Sequence, residues 1–328
     1  MKDRLVALQI LRGIAALMIV IGHATVFVGT AAAVELFFII SGFIMMYVTE
    51  KGMYRFFTKR IIRIIPLYWI ATAAFVLLTK PVTFSVSYFF KSLFFVNWNN
   101  PPILNVGWTL NCEVRFYIIF WLSALISRKY RGLISSAACL VWCGIDFFFF
   151  RRAFITPFMP FAFVLGIGGY YLYKLLNGKV TKIYQKILFG ALIVLSALWL
   201  HSNYADKLVW DIEAGHWSLL RPVVYGVPML VILLSLLMIV KTDDSKPVKA
   251  LVYIGDISYS LYLWHIVVQS LLVIFFEKTG YVITPPSTFR FMVLTASVSL
   301  FVAHLSYKYL EKPLGDFLKQ KLVPPRKS

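Results

Sequence analysis

Apolar runs of about twenty residues recur ten times along this chain of 328 residues. At ~1.5 Å per residue a helix of that length crosses the hydrocarbon core of a bilayer. A backbone inside lipid has no water to bond to, so only helices and closed barrels can span. Barrel strands alternate apolar and polar residues over ~10 positions, whereas the runs here are unbroken. The expectation is an all-α, polytopic integral membrane protein, one transmembrane domain over 1–328. Spans are expected near 7–28, 34–49, 61–79, 106–127, 133–150, 153–173, 183–201, 219–240, 253–276 and 288–310. Composition agrees: 60% of residues are hydrophobic and 14% charged, against about a quarter charged in soluble domains.

The net charge of +19 invites a nucleic-acid reading, but the arrangement of the basic residues points to membrane topology instead. With the N-terminus in the cytoplasm, the loops assigned inside carry 22 Lys and Arg and those outside carry eight. That is the positive-inside bias, and it places both termini in the cytoplasm. Arg151 and Arg152 fit it least well. The start of the chain resembles a signal peptide, but its apolar run is too long for one and Arg12 interrupts it, so it reads as an uncleaved first helix. Residues 84–98 are apolar but too short to span, which suits an interfacial or re-entrant segment. The tail from about 312 is short and basic and suits the anionic inner leaflet. Cys112, Cys139 and Cys143 fall within spans and read as packing residues; no metal is expected.

Ionisable residues inside a membrane are costly and mark functional sites. Arg12 and His23 are eleven residues apart on the first helix, which returns them to one stripe about 17 Å apart along the axis. Glu113 lies about two turns into the fourth span, at a depth similar to that of His23. A carboxylate beside an imidazole can orient it as a general base; the same pair serves equally as a structural hydrogen bond between helices. Arg60 and Arg63 sit at i,i+3 near the inner end of the third helix. Two guanidiniums there suit phosphate or plain anchoring to lipid head groups. Within SYSLYLWH, Ser258, Tyr262 and His265 share one polar helix face, either lining a cavity or joining helices. Glu35 and Ser41-Gly42 bracket the second helix, where Gly42 suits a close helix approach. His304 reads as structural. The loop with His201, Asp206, Asp211, Glu213 and His216 is the acidic outer segment and reads as a solvated surface.

These residues carry a family resemblance. The stretches LQILRGIAALMIVIGHA, VELFFIISGF, KRIIRIIPLYW, VGWTLNCE, ISYSLYLWH and SYKYLEKP, in this order, resemble the membrane-bound acyltransferase-3 family and its exopolysaccharide-production branch over nearly the whole length. Glu35 stands where many relatives have Asp. Cys112 stands beside Glu113 where relatives often have an aromatic residue.

The resemblance implies acyl transfer, usually of acetyl, from cytoplasmic acetyl-CoA or another acyl-CoA to a hydroxyl of an exported glycan or lipid-linked sugar. The setting it implies is the bacterial cytoplasmic (inner) membrane. It further implies His23 as general base or transient acyl carrier with Glu113 assisting. Arg12, Arg60 and Arg63 would hold the acyl-CoA phosphates. Glu35, Ser41, Trp108, Tyr262 and His265 would line the substrate pocket. The rival reading is a polytopic transporter or flippase for a glycan precursor, which the absence of two similar halves disfavours; a third is a scaffold of a polysaccharide export complex.

Overall fold

The computed structural model describes residues 6–25, 30–81, 84–96, 101–149, 158–179, 183–201, 210–211, 216–217, 221–240, 245–280 and 285–323. Among them, ten helices are long and apolar enough to cross a membrane, from Val6–Ala24 to Phe289–Leu322. They occupy the ten positions expected from the apolar runs. The helices are α1 (Val6–Ala24), α2 (Thr30–Thr49), α3 (Phe56–Thr79), α4 (Val86–Leu93) and α5 (Trp108–Ile126). Then come α6 (Arg131–Phe149), α7 (Met159–Leu176), α8 (Ile183–His201), α9 (Val227–Ile239) and α10 (Lys246–Asp256). The last three are α11 (Ser258–Lys278), α12 (Pro285–Ser306) and α13 (Lys312–Leu322). Short turns precede α5 and α9 (Asn105–Gly107 and Pro222–Gly226), and Tyr307–Glu311 links α12 to α13.

Residues 84–98 were too short to span, and α4 bears this out with eight residues, about 12 Å. The Ser85 side chain caps it by accepting from Tyr88 N at 3.2 Å. The basic tail is helical as α13, running on from α12 without an intervening loop. Part of the acidic segment expected outside forms a two-residue antiparallel pair, Trp210–Asp211 with His216–Trp217. Asp206, Glu213 and Arg151-Arg152 lie outside the described residues.

The chain divides into two compact units, the first comprising Met1–Ala15, Val28–Gly52 and Ile118–Asp256. Its most extensive junction is α2 against α7. A Cβ on Gly42 would sit 2.3 Å from Phe163 O, and one on Gly166 2.1 Å from Ile39 O. The two helices therefore meet backbone to backbone, as small residues permit where lipid supplies no hydrophobic drive between helices. This is the close approach that Gly42 led us to expect. Gly255 similarly seats α10 on α1, its Cβ position 2.0 Å from Gln9 O. At the end of α2, Arg131 donates to Thr49 Oγ1 at 2.9 Å. Lys174 bonds Glu50 at 2.5 Å and holds that carboxyl below its usual range.

The second unit comprises Ala16–Phe27, Met53–Tyr117 and Ile257–Ser328. Tyr68 and Trp69 tie α3 to α4: Tyr68 OH donates to Ser92 O at 3.0 Å and Trp69 Nε1 to Leu93 O at 3.0 Å. The Tyr68 ring stacks on Phe95, with centroids 5.0 Å apart. Gly107 leaves room for that ring, because a Cβ there would meet it at 2.8 Å. Helix α11 joins α3 through Tyr259 OH, which donates to Ile64 O at 2.7 Å near Pro66, a residue that interrupts the α3 ladder. Trp264 Nε1 donates to Ser306 Oγ at 2.7 Å and Ser260 Oγ to Glu311 Oε2 at 2.6 Å. These bonds fasten α11 to α12 and to the turn that follows it. Interhelical hydrogen bonds of this kind are each worth roughly 0.6 kcal/mol in a membrane.

Candidate active site

His23, Arg60, Arg63, Trp108, Glu113, Tyr262 and His265 all belong to the second unit. His23 lies in the last turn of α1 and is exposed. Its Nδ1 is 3.0 Å from Ile19 O, one turn earlier, and 3.1 Å from Nε2 of His265 on α11. The imidazole centroids are 5.1 Å apart. His265 is fully buried, at 0% exposure. Gln269, one turn further along α11, donates to His23 O at 2.5 Å, so α11 grips both the side chain and the backbone of His23.

Tyr262 shares the α11 face with His265, its ring centroid 5.9 Å from the imidazole. Its hydroxyl lies 2.7 Å from Thr109 Oγ1 and 2.7 Å from Val106 O. Tyr262 is thus a strut that holds the entrance of α5, where Trp108 opens the helix half-buried. The shared polar face of α11 both joins helices and presents His265 to His23. Ser258, the third member of that face, is buried.

Glu113 does not pair directly with His23, as its position had suggested. The carboxylate accepts a hydrogen bond from Tyr117 OH, four residues later on α5, within the reach that i,i+4 spacing gives. Arg60 of α3 lies within electrostatic reach of Tyr117, Glu113 and Arg63. The physical reason is charge: a carboxylate in this apolar unit is best placed facing the guanidiniums of α3. The ring of His265 takes the place beside His23. The Nε of Arg60 is buried without a protein acceptor, so a donor remains for an anionic group.

Arg12, Glu35 and Ser41 belong to the first unit. Arg12 lies on α1 together with His23; it is buried and its Nη1 donates to Gln9 Oε1 at 3.4 Å. Glu35, fully buried, pairs with Arg221 at 2.9 Å. Ser41 is half-buried beside Gly42, at the α2–α7 crossing. Reading the sequence missed Tyr117, Arg221 and the His265–His23 contact. The spacing of Glu113 and Tyr117 is a local signal for the first; nothing local announces the other two.

An acyltransferase domain model matches residues 5–305. The chain is 30% identical to the exopolysaccharide production protein ExoZ of Rhizobium meliloti, across 87% of this chain and 89% of that protein. It is 27% identical to a protein of Acidianus two-tailed virus named "Putative acetyltransferase", across 73% of each. It is also 27% identical to a Staphylococcus aureus protein named "Putative O-acetyltransferase", across 92% of this chain and 56% of the longer relative. No solved structure matches.

Proposed function

The chain belongs to the acyltransferase-3 family, and on that premise we propose that it is a membrane O-acyltransferase that moves an acetyl group from acetyl-CoA to a hydroxyl of a cell-surface or exported glycan. A free polysaccharide and a lipid-linked sugar share that hydroxyl chemistry. The setting is the bacterial cytoplasmic membrane with both termini inside, which the distribution of Lys and Arg supports.

The observation that carries this reading is an exposed imidazole, His23, backed by a buried one, in the same compact unit as the Arg60–Tyr117–Glu113 cluster. Arg60 and Arg63 supply planar donors for the phosphates of CoA. His23 takes the proton of the acceptor hydroxyl as its oxygen attacks the thioester carbonyl. The tetrahedral intermediate collapses, the C–S bond breaks, and the imidazolium returns the proton to the departing thiolate. The products are the O-acyl glycan and free CoA. In the two-step variant His23 itself attacks the thioester and passes the acyl group on. Glu113 assists by balancing the guanidinium charge through Tyr117. Tyr262 and Trp108 support the walls of the site.

The test is purified protein in proteoliposomes supplied with radiolabelled acetyl-CoA, with and without glycan from the producing strain. Acetyl transfer or thioester hydrolysis that disappears with His23→Ala supports the reading. Activity unchanged by that substitution, or no acetyl-CoA binding at all, refutes it.

A further inference from the structure

We propose that His265 is a positioning residue for acyl transfer: it holds His23 in the tautomer protonated on Nδ1 and thereby makes Nε2 the reacting nitrogen. The inference rests on the role proposed for His23 and adds to it which atom acts and what orients it.

A neutral imidazole carries one N–H and one lone pair, and its neighbours decide which nitrogen has which. Two backbone carbonyls decide it here. Ile19 O faces His23 Nδ1 at 3.0 Å, and Leu261 O faces His265 Nδ1 at 3.3 Å. A carbonyl oxygen only accepts, so each contact calls for a proton on Nδ1. His265 protonated there presents the lone pair of Nε2, the atom 3.1 Å from His23 Nδ1. The His23 Nδ1–H is then shared between Ile19 O and His265 Nε2. The reverse pattern sets the Nδ1 lone pair of each ring against a carbonyl oxygen, two repulsive contacts in place of two favourable ones. Three separate contacts thus agree on one arrangement of protons.

Burial separates the roles of the two rings. His265 is closed off from solvent, so its lone pair can serve only His23. His23 is exposed, and its Nε2 lies across the ring from the occupied Nδ1. When Nε2 gains a proton or an acyl group the ring becomes cationic, and its Nδ1–H bond to His265 becomes charge-assisted and stronger. The interaction therefore grows as the reaction proceeds, which is what accelerates a chemical step. A carboxylate does this service in hydrolytic triads; here a neutral ring does it, and no anion has to be buried beside His23.

Full-length protein carrying His265→Gln or His265→Phe tests this in the acetyl-CoA assay. A glutamine carboxamide oxygen can accept from Nδ1–H; phenylalanine keeps the ring volume and cannot. We expect His265→Phe to lower kcat about 100-fold, the scale of a misplaced general base, with the KM for acetyl-CoA nearly unchanged. His265→Gln should stay within about tenfold of wild type, a modest fraction of that scale. In 15N-histidine spectra, with the His23 signals assigned by their loss in His23→Gln, wild type and His265→Gln should show the Nδ1–H tautomer and His265→Phe a mixture. A merely structural role would reduce folded protein without moving the tautomer. Wild-type His23 protonated on Nε2, or full kcat in His265→Phe, overturns the proposal. If the wild type turns over no acetyl-CoA, the transferase reading falls, while the spectra still decide the tautomer.

Discussion

Tyr117 donates its hydroxyl proton to the Glu113 carboxylate one turn back along α5, and Arg60 of α3 lies within electrostatic reach of both. The Tyr117–Glu113 bond thus bridges successive turns of α5 beside a guanidinium. Without the bridging oxygen the carboxylate keeps its desolvation cost and loses a partner. Tyr117→Phe is expected to destabilise the protein by about 1–3 kcal/mol, the usual cost of leaving a buried polar group unsatisfied. It should also weaken acetyl-CoA binding. Thermal unfolding in detergent and titration calorimetry measure the two effects; an unfolding curve superposable on wild type would show that the bridge carries no stability.

The same guanidiniums are proposed to hold the phosphates of acetyl-CoA. Arg60→Ala with Arg63→Ala is expected to raise the Kd for acetyl-CoA at least tenfold, about 1.4 kcal/mol, and to change the KM for the glycan little. Lysines at both positions should recover only part of the loss, because an ammonium lacks the planar fork. An equal loss for donor and acceptor would count against phosphate binding.

The α2–α7 junction makes an internally controlled prediction. A Cβ at Gly166 meets Ile39 O at 2.1 Å, whereas one at Gly168 meets nothing within 4 Å. Gly166→Ala is expected to cost about 1–3 kcal/mol through overpacking, and Gly168→Ala nothing or a slight gain. Equal unfolding temperatures for the two variants would contradict backbone contact at this crossing.

Glu35 and Arg221 are a buried ion pair, 0% and 4% exposed. Removing one partner leaves an uncompensated charge, so Glu35→Leu or Arg221→Met alone should cost about 3–5 kcal/mol. The double variant should recover most of that, since two apolar side chains bury no charge. Additive losses in the double-mutant cycle would show that the two residues do not interact. Glu35→Asp withdraws the carboxylate by one methylene and should show a smaller loss.

The proposed orientation rests on charge alone. A fluorescent protein that matures only in the cytoplasm, fused after Ser328, is expected to fluoresce. A dark fusion made in normal amount would reverse the topology, and with it the side on which Arg60 and Arg63 meet acetyl-CoA.

Much of the fold can be read from the chain because a bilayer imposes a local rule. A helix satisfies its backbone within its own turns, so run length alone locates the ten spans, and those spans appear in place. The shortness of α4 and the closeness that Gly42 permits are equally local. Periodicity also put Tyr262 and His265 on one face of α11 correctly, because that face depends on 100° per residue and nothing else.

The pairing of those faces is another matter. His23 and His265 stand 242 residues apart, and Glu35 and Arg221 stand 186 apart. No sequence period connects such positions, and similar depth was a weak guide that drew Glu113 towards His23. Tertiary packing assigned the partners by energy: Glu35 went to the guanidinium of Arg221 and Glu113 to the hydroxyl of Tyr117, because a buried charge without a partner is the costliest group a membrane helix can carry. The sequence by itself therefore determined the spans, their polar faces and the inventory of ionisable groups. Only the tertiary structure decided which of those groups meet, and it set the imidazole of His265, not a carboxylate, behind His23.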